Sequence, residues 1–163
     1  MDRLIVTWFG AGNMRPAPGT WGSAVAVALG VVIHWIGSFP LLAAATLVVA
    51  GVGFWSVHRY TVGMEDPDRS EIVIDEVAGQ WLALCFPSYG FWHAGLPSTE
   101  FPWPGWLAAF LFFRLFDIWK PSIIGRADRE GGTMGVMMDD LWAGVFAGIC
   151  VMICAGLYHG LLA

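Results

Sequence analysis

Apolar residues along the chain gather into five runs separated by short polar breaks: about Gly22–Ile36, Leu41–Val57, Ile74–Phe86, Gly105–Trp119 and Leu141–Leu162. None shows the period-two alternation of a half-buried strand or a membrane barrel, and helix is predicted in each. Gly37-Ser38-Phe39-Pro40 between the first two runs has the composition of a tight turn. A spanning helix takes about 20 apolar residues. The last run is long enough. The first and third fall short, so they are expected to tilt little, thin the bilayer or re-enter. The expected fold is therefore all-α: a polytopic membrane helical bundle of about five segments, in one domain over residues 1–163.

Composition supports a lipid environment. The chain is 57% hydrophobic and 13% charged, with mean hydropathy +0.64, whereas a soluble domain carries about 25% charged residues. A water-soluble chain of this size would leave much of that apolar surface exposed, and a bilayer removes the problem. Ten tryptophans suit the two membrane–water interfaces. The net charge of −5 argues against nucleic acid as a partner. Cys85, Cys150 and Cys154 sit in apolar runs and are expected to be buried small hydrophobes. Met1 to Gly22 has no apolar stretch at its start, so no cleavable signal peptide is expected.

Charge placement orients the bundle. If the N-terminus is cytoplasmic and all five runs cross, the eight basic residues fall on the cytoplasmic side, as the positive-inside rule asks. The outer connections Gly37–Pro40 and Pro87–Pro104 hold no Lys or Arg, and of the thirteen acids only Glu100 lies outside. Acids contribute little to orientation, so their clustering needs another cause.

Four polar stretches share that face. Arg15 to Ser23 is rich in Pro and Gly; Thr20 or Ser23 can cap the following helix, whose N-terminus with Gly19 offers free N–H groups to a phosphate. Asp75 and Glu76 open the third run. They suit a helix dipole, but two acids at an apolar boundary are costly without a cation. Arg114 and Asp117 share a helix face, either as an internal ion pair or as a phosphate-binding Arg beside a metal-binding Asp. Lys120 either adds charge to the same mouth or snorkels. Asp139 and Asp140 follow a Gly-rich loop at the start of the fifth run; they point about 100° apart on a helix, so one of them can serve as a cap. Carboxylates at three helix ends beside basic residues fit Mg²⁺, which keeps several waters and bridges to substrate phosphate. His34, His58, His93 and His159 stand apart from these groups.

Ala17-Pro18-Gly19-Thr20-Trp21-Gly22-Ser23, Ile74-Asp75-Glu76-Val77-Ala78-Gly79-Gln80, Phe113-Arg114-Leu115-Phe116-Asp117-Ile118-Trp119-Lys120-Pro121 and Gly135-Val136-Met137-Met138-Asp139-Asp140 together resemble, in order and over most of the chain, the phosphatidylglycerophosphatase A family. The resemblance implies Mg²⁺-dependent hydrolysis of phosphatidylglycerophosphate to phosphatidylglycerol and phosphate, in the bacterial inner membrane; charge placement puts the site at the cytoplasmic face. It implies that Asp75, Glu76, Asp117, Asp139 and Asp140 are catalytic and metal-binding, with Asp68 as a further metal ligand. Arg114 and Lys120 match its basic positions, and Gly19, Thr20 and Ser23 are expected beside the substrate phosphate. Ser122-Ile123-Ile124 and Thr133-Met134 depart from the family's usual pattern and put loop contacts to substrate in doubt, not the acids.

The competing reading is a transporter or ion channel using the carboxylates as a cation site, which would favour acids at mid-membrane in broken helices. A scaffold without chemistry would have no use for five acids at three helix ends. Water or an aspartate carboxylate can attack phosphorus, and the sequence leaves both routes open. The Gly and Ala content also permits packing with a second copy, a homo-oligomer.

Overall fold

The computed structural model describes residues 2–64, 69–100 and 103–162. Among these the chain is all-helical, without strands. Helices α1 (Asp2–Val6), α2 (Pro18–Thr61), α3 (Ile74–His93), α4 (Trp103–Trp119), α5 (Ile123–Glu130) and α6 (Gly132–Leu162) follow one another, with a 3-10 turn at Ala11–Asn13.

At 44 residues, a straight α2 would be roughly 66 Å long, about twice the hydrocarbon thickness of a bilayer. It is not straight. Gly37 and Ser38 leave helical geometry (Ser38 at φ +56°), and Pro40 follows. Contacts along α3 reveal the consequence. In the first half of α2, Gly22 abuts Val73, Gly30 abuts Leu84, and His34 Nδ1 lies 2.8 Å from Ser88 Oγ. In the second half the register runs backwards: Thr46 meets Cys85, Gly53 meets Ile74, and the Tyr60 hydroxyl donates to Glu71. The two-residue break thus folds α2 into a helical hairpin along α3, with both ends at the same end of the bundle.

The remaining helices follow the same axis. Gly105 lies against Pro87 and the Phe113 ring against Gly79, so α4 runs antiparallel to α3. Gly144 packs on the Gly79 backbone, Gly148 on Phe86 and Met152 on Gly90, so α6 runs parallel to it. Small residues permit these approaches: a Cβ on Gly79 would stand 2.7 Å from Phe113 Cε2 and 2.8 Å from the Asp140 carbonyl carbon. Glycine here brings backbones together, as is common between membrane helices.

Two helices, Pro18–Thr61 and Gly132–Gly160, are long and apolar enough to cross a membrane, each with mean hydropathy 2.0 over its best window. Only 22% and 28% of those windows are buried. A soluble protein's core helix would be mostly covered, so these surfaces indicate membrane association.

Several element boundaries differ from expectation. The third run continues as helix through Pro87 to His93, because proline costs a helix one hydrogen bond without forbidding it where neighbours pack closely. The Gly-rich stretch before Asp139 is mostly helix: Gly131 and Gly132, at φ +66° and +62°, turn the chain, and α6 begins at once. Asp139 and Asp140 therefore lie in its third turn, and neither is a cap. Helix α2 starts at Pro18, which needs no N–H partner at that position. Thr20 and Ser23 are thus inside the helix and do not cap it. The amphipathic α5 was not expected. Of the cysteines, Cys85 is buried, Cys150 is half-buried and Cys154 is exposed, because α6 turns that face away from its neighbours.

Candidate active site

The hairpin in α2, the parallel α3 and α6 and the antiparallel α4 bring five chain segments to one end: the start of α2, the first turn of α3, the last turns of α4, α5, and the early turns of α6. All eight basic residues lie toward this end. The opposite end holds the α2 break, with Phe39 packed against Tyr89 and Trp92.

A cavity of about 100 Å³ opens at the charged end. Asp75, Glu76, Asp117, Lys120, Asp128, Asp139 and Asp140 line it, with Arg69 at its edge. Carboxylate oxygens of Asp75, Glu76 and Asp140 lie within 4.8 Å of one another. Two acid pairs are built alike: Asp75 Oδ1 accepts from the Glu76 N–H at 3.0 Å, and Asp139 Oδ1 from the Asp140 N–H at 2.9 Å. In each pair the first acid's side chain is thereby tied to the backbone of the second.

Two cations frame the acids. Arg114 Nη1 is 2.5 Å from Asp117 Oδ2 and donates to Ser23 Oγ at 3.4 Å. Ser23 in turn donates to the Gly19 carbonyl at 2.8 Å. Gly19 is tight for a reason: a Cβ there would collide with Glu76 Oε1 and stand 3.3 Å from Arg114 Nη1. Lys120 ends α4 at φ +48°, a conformation usually left to glycine. Its ammonium is held by Asp128 and, at 2.8 Å, by Asp139. Such backbone strain persists where surrounding contacts over-determine it. Burial pushes the Lys120 pKa down, but hydrogen bonds to Asp128 and Asp139 outweigh it and hold it above the ordinary lysine value.

Six carboxylates thus gather around three cations (Arg69, Arg114 and Lys120). Asp75, Asp139 and Asp140 are 8%, 6% and 3% exposed. Buried like charges at such spacing repel strongly. Glu76 Oε2 and Asp140 Oδ1 are buried without a hydrogen-bond partner, and such orphans require an explanation. A hard cation supplies one: Asp75, Glu76 and Asp140 offer converging oxygens, the donor type Mg²⁺ takes, so the residues present fit a metal ion.

Of the residues expected at the site, Asp75, Glu76, Asp117, Lys120, Asp139 and Asp140 share the cavity, while Arg114, Ser23 and Gly19 form its α2–α4 flank. Thr20 is half-buried in the same helical turn as Gly19. Asp68 lies outside the described residues. Asp128 was missed; the only signal was an eight-residue charged stretch between two apolar runs.

An all-helical bundle that gathers carboxylates able to hold a cation beside two cationic side chains is equipped as a hydrolase of phosphate monoesters. Comparison with known proteins bears this out and narrows it: residues 4–155 match the phosphatidylglycerophosphatase A family, and the chain belongs to that family. It is 35% identical over 150 residues to phosphatidylglycerophosphatase A of Haemophilus influenzae, covering 91% of this chain and 85% of that one. It is 32% identical to the Escherichia coli protein of the same name, over 92% of this chain and 81% of the relative. A Bacteroides thetaiotaomicron protein named putative phosphatidylinositol-3-phosphatase is 33% identical, over 92% and 91% of the two chains. No solved structure matches the chain.

Proposed function

We propose that the protein is a Mg²⁺-dependent phosphatidylglycerophosphatase that crosses the bacterial inner membrane five times, as the two halves of α2, α3, α4 and α6, with its site at the cytoplasmic face. The observation that carries the chemistry is the convergence of Asp75, Glu76 and Asp140 oxygens beside the Arg114–Asp117 pair. Eight basic residues at the same end support the orientation.

In this reading Asp75, Glu76 and Asp140 hold the metal, with Asp117 and Asp139 adjoining. When bound, Mg²⁺ neutralises phosphate charge and makes water more acidic. The chain's own residues do the positioning. Arg114, steered by Asp117 and Ser23, presents its guanidinium to the equatorial phosphate oxygens, where charge spreads in the transition state. Lys120, anchored between Asp128 and Asp139, adds a second fixed positive charge. A carboxylate of the cluster accepts the proton from the attacking water, and as the P–O bond to the glycerol breaks that proton passes to the departing oxygen, which leaves as the alcohol. Low polarity beneath the cavity strengthens every one of these interactions. The acids sit at one end and not at mid-bundle, which does not favour a transporter.

The test is phosphate release from phosphatidylglycerophosphate in detergent micelles, with Mg²⁺ and then with chelator, and with phosphatidate and phosphatidylinositol 3-phosphate as competitors. Release should vanish with chelator and fall at least ~100-fold in Asp75→Asn and Asp139→Asn. Wild-type rates in both variants would remove these acids from the site. Faster release from phosphatidylinositol 3-phosphate would reassign the substrate.

A further inference from the structure

Gln80 is 0% exposed, and neither its Oε1 nor its Nε2 has a hydrogen-bond partner among the described residues. A buried, doubly unpartnered carboxamide is costly, and in a native protein it points to something the resting contacts do not show. Its surroundings fix its direction. On one side of it in sequence, Gly79 meets the α6 backbone at Asp140 and the Phe113 ring of α4. On the other, the Trp81 indole donates to the Ala26 carbonyl of α2 at 2.7 Å. Gln80 projects between these two contacts, on the face it shares with Glu76 four residues earlier. That face looks toward the α2–α4 seam, where Glu76 meets Gly19 and Arg114 meets Ser23.

The other orphans in this region complement it. Glu76 Oε2 lacks a donor and Arg114 Nε lacks an acceptor. A carboxamide offers both groups on one planar head. Resting on the reading above, we propose that Gln80 is a positioning residue that couples the two halves of the site: its N–H donates to Glu76 Oε2 and its carbonyl accepts from Arg114 Nε when the site is loaded. The metal-binding carboxylate and the phosphate-binding guanidinium would then be held in one frame, so that cation binding aligns the group that receives the substrate. A carboxylate oxygen has two lone pairs, so Glu76 Oε2, like Asp140 Oδ1, stays available to the cation.

The test uses Gln80→Met, close in size and without polar atoms, in the full-length protein in detergent. The free-ion electron paramagnetic resonance signal of Mn²⁺ reports metal binding with no substrate present. Mn²⁺ affinity should fall about 10-fold or more, the usual consequence of removing a group that orients a ligand. The melting temperature should stay level or rise, because two unsatisfied buried atoms have gone. In a Glu76→Gln background the same change should have little further effect on Mn²⁺, since the route runs through Glu76. Unchanged Mn²⁺ affinity in Gln80→Met would overturn the proposal, as would additive losses in the double variant or a loss that comes with a lowered melting temperature. If wild-type protein binds Mn²⁺ but releases no phosphate from phosphatidylglycerophosphate, the substrate assignment fails and the Gln80 coupling is still tested by the metal titration.

Discussion

Gly79→Ala probes whether the site depends on backbone contact between α3 and α6. A Cβ at this position would overlap the Asp140 carbonyl oxygen, stand 2.8 Å from its carbonyl carbon and 2.7 Å from Phe113 Cε2, whereas ordinary contact begins at 3.4 Å. The ring can swing, but the α6 backbone cannot, so the helices must separate by roughly 0.6 Å or more, the shortfall from that contact distance. Overpacking of this kind costs ~1–3 kcal/mol, and a collision with backbone belongs at the upper end. Alanine's better helix propensity returns ~1 kcal/mol, leaving a net loss of about 2 kcal/mol, or a fall of about 4–8 °C in melting temperature for a chain of this length. The larger effect should be on turnover. Asp75 and Glu76 lie on α3 and Asp140 on α6, so separation opens the carboxylate triangle directly, and misplacement approaching 1 Å can cost ~100-fold in rate. Phosphate release and thermal unfolding of the same detergent-solubilised preparation measure both. A Gly79→Ala protein with the parent's rate and melting temperature would refute the view that this close approach sets the metal-binding geometry.

Gly19→Ala should show the opposite balance: its Cβ meets the tip of the flexible Glu76 side chain, so the melting temperature should hold within about 2 °C while turnover drops at least ~10-fold, and a loss of fold with kinetics intact would contradict the assignment. Lys120→Met should lower the melting temperature by an amount that does not change between about pH 7 and 9. The folded Lys120 pKa is raised, so its stabilisation is fully present below the unfolded lysine value of about 10.4 and disappears only as pH climbs through the folded one; a decrement that shrinks across that window in a pH-stepped thermal melt would show that the ammonium is not held as described.

The acids stood out because charge in an apolar chain is expensive, and a helix dipole, an ion pair and a cap did not together account for Asp75, Glu76, Asp117, Asp139 and Asp140 at three helix ends. Their convergence was not legible, since it depends on the break at Gly37–Ser38 folding α2 back and on Gly79 and Gly144 letting α3 and α6 touch. The helical state of the five runs followed from their pattern. Boundaries failed where glycine and proline were read as punctuation: Pro87 continues α3, and the stretch from Gly132 opens α6. In a tightly packed bundle the same residues serve as spacers. Asp128 escaped notice because it lies in a short amphipathic helix.

The crowding of charge at one end has a consequence for lipid traffic. In the orientation proposed above, a site confined to one end of a bundle about 30 Å deep services one leaflet and is blind to the other. In sealed vesicles with uniformly oriented protein, hydrolysis should stall near the share of substrate facing the site, and further progress would report the rate at which lipids flip between leaflets. Such a protein need not select its substrate by headgroup alone: the sheet of the bilayer in which the lipid is made already limits what can reach Arg114.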